Sequence, residues 1–295
     1  MKLSLAPNPW YWPREATFAF YRAMATQPLD IVYLGETVCS RRHELRAEDW
    51  LDLADELADA GKEVVLSTQA LIESESDLKA LRRLIAKVAE GGRHMVEANE
   101  MGAVRLLAEA GQRFVAGPTL NVFNAHTLRL LVDQGATRWV MPPEAGRAQL
   151  RGLLAALPAD VQRPRTEVMA HGRLPLAWSA RCFTARRYNL QKDTCEFKCI
   201  EHPQGLAVKT REGESFLTLN GVQTLSSADY LLLAEMPDLA ACGVNVARLT
   251  PQHQGMDEVI AAFRAALDGM PAPAPGAEWC NGFWHGRPGM EKVAA

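Results

Sequence analysis

The sequence contains no run approaching the 18 or so apolar residues of a membrane span. Its opening, MKLSLAPNPWYW, has one lysine and too short an apolar stretch for a signal peptide, so a cytoplasmic protein with no membrane span is expected. GxGxxG and GxxxxGK[ST] are both missing, which removes the glycine-rich cradles for dinucleotides and nucleoside triphosphates. There is no GxSxG elbow, and His43-Glu44 begins like HExxH but has Ala47 where the second histidine should stand. Serine and zinc-peptidase hydrolysis therefore have no support, and the chain does not read as a peptidase. Net charge is also small: −3, with a pI near 6.2, which gives no electrostatic reason to expect nucleic acid.

What is present is alternation. Short apolar or β-branched runs recur, each followed by a segment of helical period, and that pattern argues for parallel βαβ units. The expected strands are Lys2 to Leu5, Asp30 to Leu34, Glu63 to Ser67, His94 to Glu97, Arg113 to Ala116, Arg138 to Met141, Glu167 to His171 and Val244 to Leu249. Helices are expected near 14–27, 48–60, 75–90, 100–110, 124–134, 144–156, 228–241 and 256–268. Eight such units fit a (β/α)8 TIM-like barrel better than a doubly wound sheet.

The seventh connection breaks the pattern. More than fifty residues separate His171 from the next expected helix. They include a β-hairpin-like stretch with turns at Glu212-Gly213 and Asn220-Gly221. The expected organisation is a barrel over 1–270 with a cysteine-bearing hairpin insertion at 172–227, then a Pro-rich linker and aromatic tail over 271–295. Trp279, Phe283 and Trp284 should make that tail fold back onto the barrel or a partner rather than stay in water.

Three of the six cysteines lie in the insertion: Cys182, then Cys195 after twelve residues, then Cys199 after three. Their polar, basic neighbours argue against simple core filling, and disulfides need an oxidising compartment. Soft thiolates placed to converge suggest a metal or an iron-sulfur cluster, and spacing alone leaves zinc and iron-sulfur open. An insertion after strand seven lies on the C-terminal face of a barrel, where such enzymes keep their chemistry. Cys39 follows strand two on the same face and is the best fourth ligand, whereas Cys242 falls on the opposite face and Cys280 in the tail.

A polar ring is expected at the barrel mouth, from Glu36, Thr68, Gln69, Glu97, Asn99, Asn121, Glu144, His171 and Arg248. Alternation places Glu97 with Asn99, and Glu167 with Met169 and His171, on common strand faces. Trp10, Tyr11 and Trp12 follow strand one and should overhang the mouth, at least two of them as packing.

The segment from Glu167 to Cys182, E-V-x-x-H-G-x-L-x-x-A-W-S-x-R-C, resembles the collagenase-like peptidase family signature E-V-F-x-H-G-A-L-C-x-x-Y-S-G-R-C. Glu167, Val168, His171, Gly172, Leu174, Ser179, Arg181 and Cys182 match, and Pro175 stands where the family usually has a cluster cysteine. With Cys39 as replacement, and with the NPWYWPR opening and NGFWHGRPGM ending, the chain is similar to members acting in anaerobic ubiquinone biosynthesis. That resemblance implies a 4Fe-4S cluster on Cys39, Cys182, Cys195 and Cys199. It also implies oxygen-independent ring hydroxylation in a heterodimer with a homologous UbiU-like subunit. A lipid-binding accessory protein, a ubiquinone precursor and prephenate as hydroxyl donor come with it. A donor site beside the cluster is then expected, with His171 and Arg181 as catalytic residues and Glu97, Asn99 and Arg248 holding substrate. A non-catalytic partner whose cluster is structural, or an RNA-hydroxylating relative, are the alternatives.

Overall fold

The computed structural model describes residues 1–271 and 278–294. Six βα units come first. They are β1 (Lys2–Leu5) with α1 (Arg14–Thr26), β2 (Ile31–Leu34) with α2 (Ala47–Asp59), and β3 (Glu63–Ser67) with α3 (Glu75–Gly91). Then follow β4 (Met95–Ala98) with α4 (Met101–Glu109), β5 (Phe114–Ala116) with α5 (Ala125–Asp133), and β6 (Ala136–Val140) with α6 (Arg147–Ala155). The long strand β7 (Arg165–Trp178) leads through α7 (Phe183–Arg187) to β8 (Leu206–Lys209), β9 (Ser215–Asn220) and β10 (Gln223–Leu231). After these come α8 (Met236–Ala241), β11 (Val246–Leu249), α9 (Met256–Leu267) and β12 (Trp279–Cys280).

Strands β1 to β7 pair in order and in parallel. β11 pairs with both β7 and β1, which closes an eight-stranded parallel barrel with helices around it, the expected (β/α)8 fold. Period-two alternation decides which side chains go where. Outward residues such as Leu3, Leu5, Val32, Leu66, Phe114 and Leu249 join the main core between sheet and helices. Inward, Ile31, Tyr33, Val65, Val115, Val140 and Val246 form a smaller apolar layer. Local signals fix the helix ends: Ser74 and Asn124 cap α3 and α5 through bonds to the backbone N–H groups of Asp77 and Thr127. At the other end of α3, Gly92 takes a left-handed φ of 62°.

Two expectations at the seventh unit are corrected. Strand seven does not stop at His171 but runs on to Trp178, and no helix begins at 228. Residues 223–231 are strand β10, antiparallel to β7, and only Met236–Ala241 are helical. The reason is tertiary: β7 leaves the barrel with its backbone groups unpaired, and β10 supplies the ladder. With β9 and β8 they form a four-stranded sheet above the barrel, whose hairpin turns carry Gly213 and Gly221 at positive φ.

The Pro-rich stretch at 272–277 lies outside the described residues. The tail beyond it returns to the barrel unit: β12 adds to β10 in parallel. Trp284 is fully buried and its indole N–H donates to Asp238 at 2.9 Å, while Glu235 accepts bonds from Asn281 at 2.7 Å and His285 at 3.1 Å. No helix among the described residues is long and apolar enough to cross a membrane. The burial of Trp284 makes the tail part of the folded unit. Trp284→Ala should lower stability by about 3–5 kcal/mol, read as a shift in urea midpoint, and a loss below about 1 kcal/mol would mean that the tail is merely apposed.

Candidate functional site

Charge fills the barrel below its mouth. Arg248 on β11 donates to Glu97 on β4 through Nη1 at 2.7 Å and Nη2 at 3.3 Å, and to Glu167 on β7 at 3.4 Å. Glu167 also accepts from the Ser4 hydroxyl at 2.7 Å and the Tyr33 hydroxyl at 2.6 Å. Below, Arg138 donates to the Tyr33 oxygen at 3.0 Å and pairs with Glu63. The two carboxylates are fully buried, and they hold both guanidiniums firmly protonated against the opposing effect of burial. Glu97 and Arg248, expected as substrate ligands, thus spend most of their bonding capacity on each other. Asn99 does likewise, donating to the Thr68 carbonyl at 2.9 Å and to Glu97 at 3.3 Å.

A cavity of about 100 Å³ lies over this network. Arg248, Glu97 and Asn99 reach its floor, Trp10 and Met169 are among its apolar walls, and Arg173 and Gln223 come from the insertion sheet. It is smaller than the roughly 150 Å³ that houses a benzene, so a ring would enter only with side-chain movement. Trp10 lines it, whereas Tyr11 packs toward Phe197 and Arg42, and Trp12 against Phe20 and His253.

His171 and Arg181 are not brought to this cavity. A bulge pairs Met169 with Arg248 but His171 with Leu249, so His171 turns outward and packs against Phe263 of α9. The alternation that put it beside Glu167 and Met169 is broken there. Burial lowers its pKa, opposed by the Asp229 charge and a backbone bond at Thr250, and its Nδ1 has no partner. Gly172 is needed for the same crossing: with φ at 117°, a Cβ there would sit 2.5 Å from Thr250 Cβ. Arg181 is exposed on the loop before α7. Of the remaining expected ring residues, Glu36, Thr68 and Gln69 line a separate cavity of about 290 Å³ between α2 and α3.

The cysteine loops meet beside the mouth. Glu36 fixes the first by accepting from the backbone N–H groups of Val38 at 2.9 Å and Cys39 at 3.1 Å. Cys182 caps α7, its Sγ accepting from the Ala185 N–H at 3.4 Å. Arg41 joins the loops by bonds to the Asp193 side chain and carbonyl at 3.3 and 2.6 Å. Burial pushes the Cys39 thiol up to about 11 and also raises Cys199, and the neighbouring Cys182 adds to the rise at both. The Arg42 guanidinium opposes the rise at both. Among the described residues, however, no three His, Cys, Asp or Glu side chains converge as ligands of one metal ion. Cys242 is buried on the opposite barrel face beside Arg151, and Cys280 lies under the tail in β12.

Sequence reasoning missed Arg42, Arg138 and Arg173. Arg138 was findable, because a charged residue at an inward strand position must meet an opposite charge; Arg42 and Arg173 depend on loop and insertion geometry that periodicity does not carry. Removing Arg248 would leave two buried carboxylates short of a cation. Arg248→Met should therefore cost about 3–5 kcal/mol in urea unfolding, with part recovered by adding Glu97→Gln. A loss below about 1 kcal/mol would show Arg248 free to serve a ligand.

The chain is similar in fold to a Rubisco-like protein from Rhodopseudomonas palustris, with a TM-score of 0.53 at 11% identity over 92% of this chain and 65% of that one. Against the solved U32 peptidase Mk0906 the TM-score is 0.49 at 13% identity, over 85% of this chain and 93% of that one. The family model for peptidase family U32 matches residues 17–280, nearly the whole barrel with its insertion, and the chain belongs to that family.

Proposed function

We propose that this protein is the iron-sulfur subunit of an oxygen-independent ring-hydroxylation system in anaerobic ubiquinone biosynthesis, of the type of UbiV. The observation that carries the reading is the grouping of Cys39 and Cys199 around a buried guanidinium, with Cys182 near enough to act on both and Cys195 on the same segment. Ligands of a single zinc ion would draw sulfurs to within about 4 Å of one another, given Zn–S near 2.3 Å. A four-iron cluster ends each thiolate on its own iron and needs a wider spread. The four-thiol donor set and the unpartnered Nε of Arg42 suit such an anionic group. Cys39, Cys182, Cys195 and Cys199 would hold it, and when bound it would supply one-electron chemistry at the mouth.

The protein's own groups supply the rest. Trp10 and Met169 offer apolar walls to a flat ring. Arg173, whose guanidinium lies 5.9 Å from the Trp10 ring centroid, bonds to Thr218 and lies 3.9 Å from Asp229, and is the lining cation outside the buried carboxylate network that would face an anionic substituent. Arg181 and His171 have no place in this arrangement. The homologous UbiU-like partner, the lipid-binding accessory protein and prephenate enter through the sequence resemblance. The family's peptidase name is not extended to the chemistry, since the hydrolase motifs are missing.

Reconstitution with iron and sulfide under nitrogen is the test. Ser at position 39, 182, 195 or 199 should each abolish or sharply reduce bound iron and the brown absorbance, while Cys242→Ser and Cys280→Ser should leave both intact; the reverse pattern would overturn the ligand assignment.

The small cavity and the self-satisfied Arg248 favour a second reading, in which the cluster is structural and a partner subunit holds the substrate. Arg173→Met separates the two. In a strain that makes ubiquinone only without oxygen, a catalytic mouth predicts at least a tenfold loss of ring hydroxylation with cluster content unchanged, and full activity would transfer the chemistry to the partner.

A further inference from the structure

Arg42 lies three residues beyond Cys39, and only 1% of its side chain is exposed. Its fork is held from three directions. Nη1 donates to the Pro9 carbonyl at 2.8 Å, Nη2 to Asn220 Oδ1 at 2.7 Å, and the guanidinium carbon lies 5.3 Å from the centre of the Tyr11 ring. These partners are neutral, so they set direction without balancing charge. The carboxylate within reach is Glu36 at 3.5 Å, through the same oxygen that already accepts from Val38 and Cys39. Nε has no partner. A buried ion costs several kcal/mol unless countercharge and hydrogen bonds offset it, and here both offsets are incomplete. The remaining groups in its field are Cys39 and Cys199.

Its placement is also over-determined. Pro9 belongs to the loop after β1, Asn220 to the hairpin turn between β9 and β10, and Arg42 itself to the first cysteine loop. Gly221, at a φ of 62°, leaves only enough room for the fork, since a Cβ there would sit 3.2 Å from Nη2. A cation fixed this firmly beside thiols, and short of an anion, is built to meet negative charge that arrives with the bound group.

We infer that Arg42 is a positioning residue of the cysteine site, a fixed positive charge that holds the anionic four-thiolate group and raises its reduction potential. The inference rests on the iron-sulfur reading proposed above. Its physical basis is general: reduction adds an electron to an already negative group, so a nearby desolvated cation favours the reduced form, and hydrogen bonding toward sulfur acts in the same direction. Glu36, whose charge acts on both Cys39 and Cys199, should act oppositely.

Wild type, Arg42→Lys, Arg42→Gln and Glu36→Gln are reconstituted with iron and sulfide without oxygen, and iron and sulfide are counted first. Dithionite, as one-electron donor with mediators, then titrates each sample while electron paramagnetic resonance follows reduction. Arg42→Gln should disfavour reduction at least tenfold, a midpoint 59 mV lower for one electron. Arg42→Lys, which keeps the charge, should stay within that margin of wild type, and Glu36→Gln should shift upward. A folded Arg42→Gln that takes up no iron while Arg42→Lys does also supports the inference, because charge is what separates them. Equal midpoints in wild type and Arg42→Gln overturn it and leave the cluster reading intact. If Arg42→Gln does not fold, an unchanged midpoint in Glu36→Gln overturns it. A wild type that binds no iron and sulfide overturns the cluster reading and this inference together, and is recognised before any potential is measured.

Discussion

The barrel is closed over charge. Two guanidiniums, from Arg138 and Arg248, face the fully buried carboxylates of Glu97 and Glu167, with Tyr33, Ser4 and Ser67 completing their bonds. These groups come from β1, β2, β3, β4, β6, β7 and β11, so their hydrogen-bond geometry restrains the register of seven of the eight barrel strands. A one-residue slip in any of them would exchange its inward and outward sides and put an unpaired charge among the apolar side chains under the helices. Such a network is weak evidence for net stability, because desolvation consumes most of what the pairing returns. What it excludes is the alternatives. A barrel lined only by Val and Ile would tolerate register errors that this one cannot.

That interior governs what the mouth can do. Charged groups at the C-terminal ends of barrel strands ordinarily suggest ligand binding, but here Glu97 and Arg248 are largely taken up by each other. Free functional groups have to come from above, from the loop after β1, the first cysteine loop and the insertion sheet. The residues on which the proposed chemistry rests accordingly lie on segments without barrel pairing: Trp10, Cys39, Arg42, Arg173 and the Cys182 to Cys199 stretch. Those on loops are held by side-chain bonds, such as Arg41 to Asp193 and Arg42 to Asn220, whereas Arg173 sits in the β7–β10 ladder.

The sequence made the repetitive part of this structure legible and the unique part only partly so. Strands such as Lys2–Leu5 and Glu63–Ser67 coincide with their expected bounds because local period and flanking residues determine them. The insertion's hairpins were readable from Asn220-Gly221 and Glu212-Gly213, whose glycines supply the positive φ that those turns need. The helix expected at 228–241 failed because SADYLLLAEMPDLAAC holds the end of a strand and a short helix in one apolar stretch, and only the open edge of β7 decides where one stops. His171 was misplaced by a single bulge, an event that alternation cannot contain. Arg181 was drawn in by its neighbour Cys182, although adjacency in the chain says nothing about which way an exposed loop arginine points.

Strand β7 is where these two levels meet. Its first half completes the barrel between β6 and β11, with Glu167 inside, and its second half forms the base of the insertion sheet against β10. The change of role occurs at the bulge and Gly172, where the strand passes so close to Thr250 that no side chain would fit. The His-Gly pair of the family signature thus has a structural explanation here: the glycine permits the crossing, and the histidine ring fills the space under α9 that the bulge opens. Because β7 is continuous, the charge network that fixes Glu167 also fixes the start of the sheet that carries Arg173 and leads to Cys182. The position of the cysteine site is therefore inherited from pairing inside the barrel, through one strand, and does not depend on the loops alone.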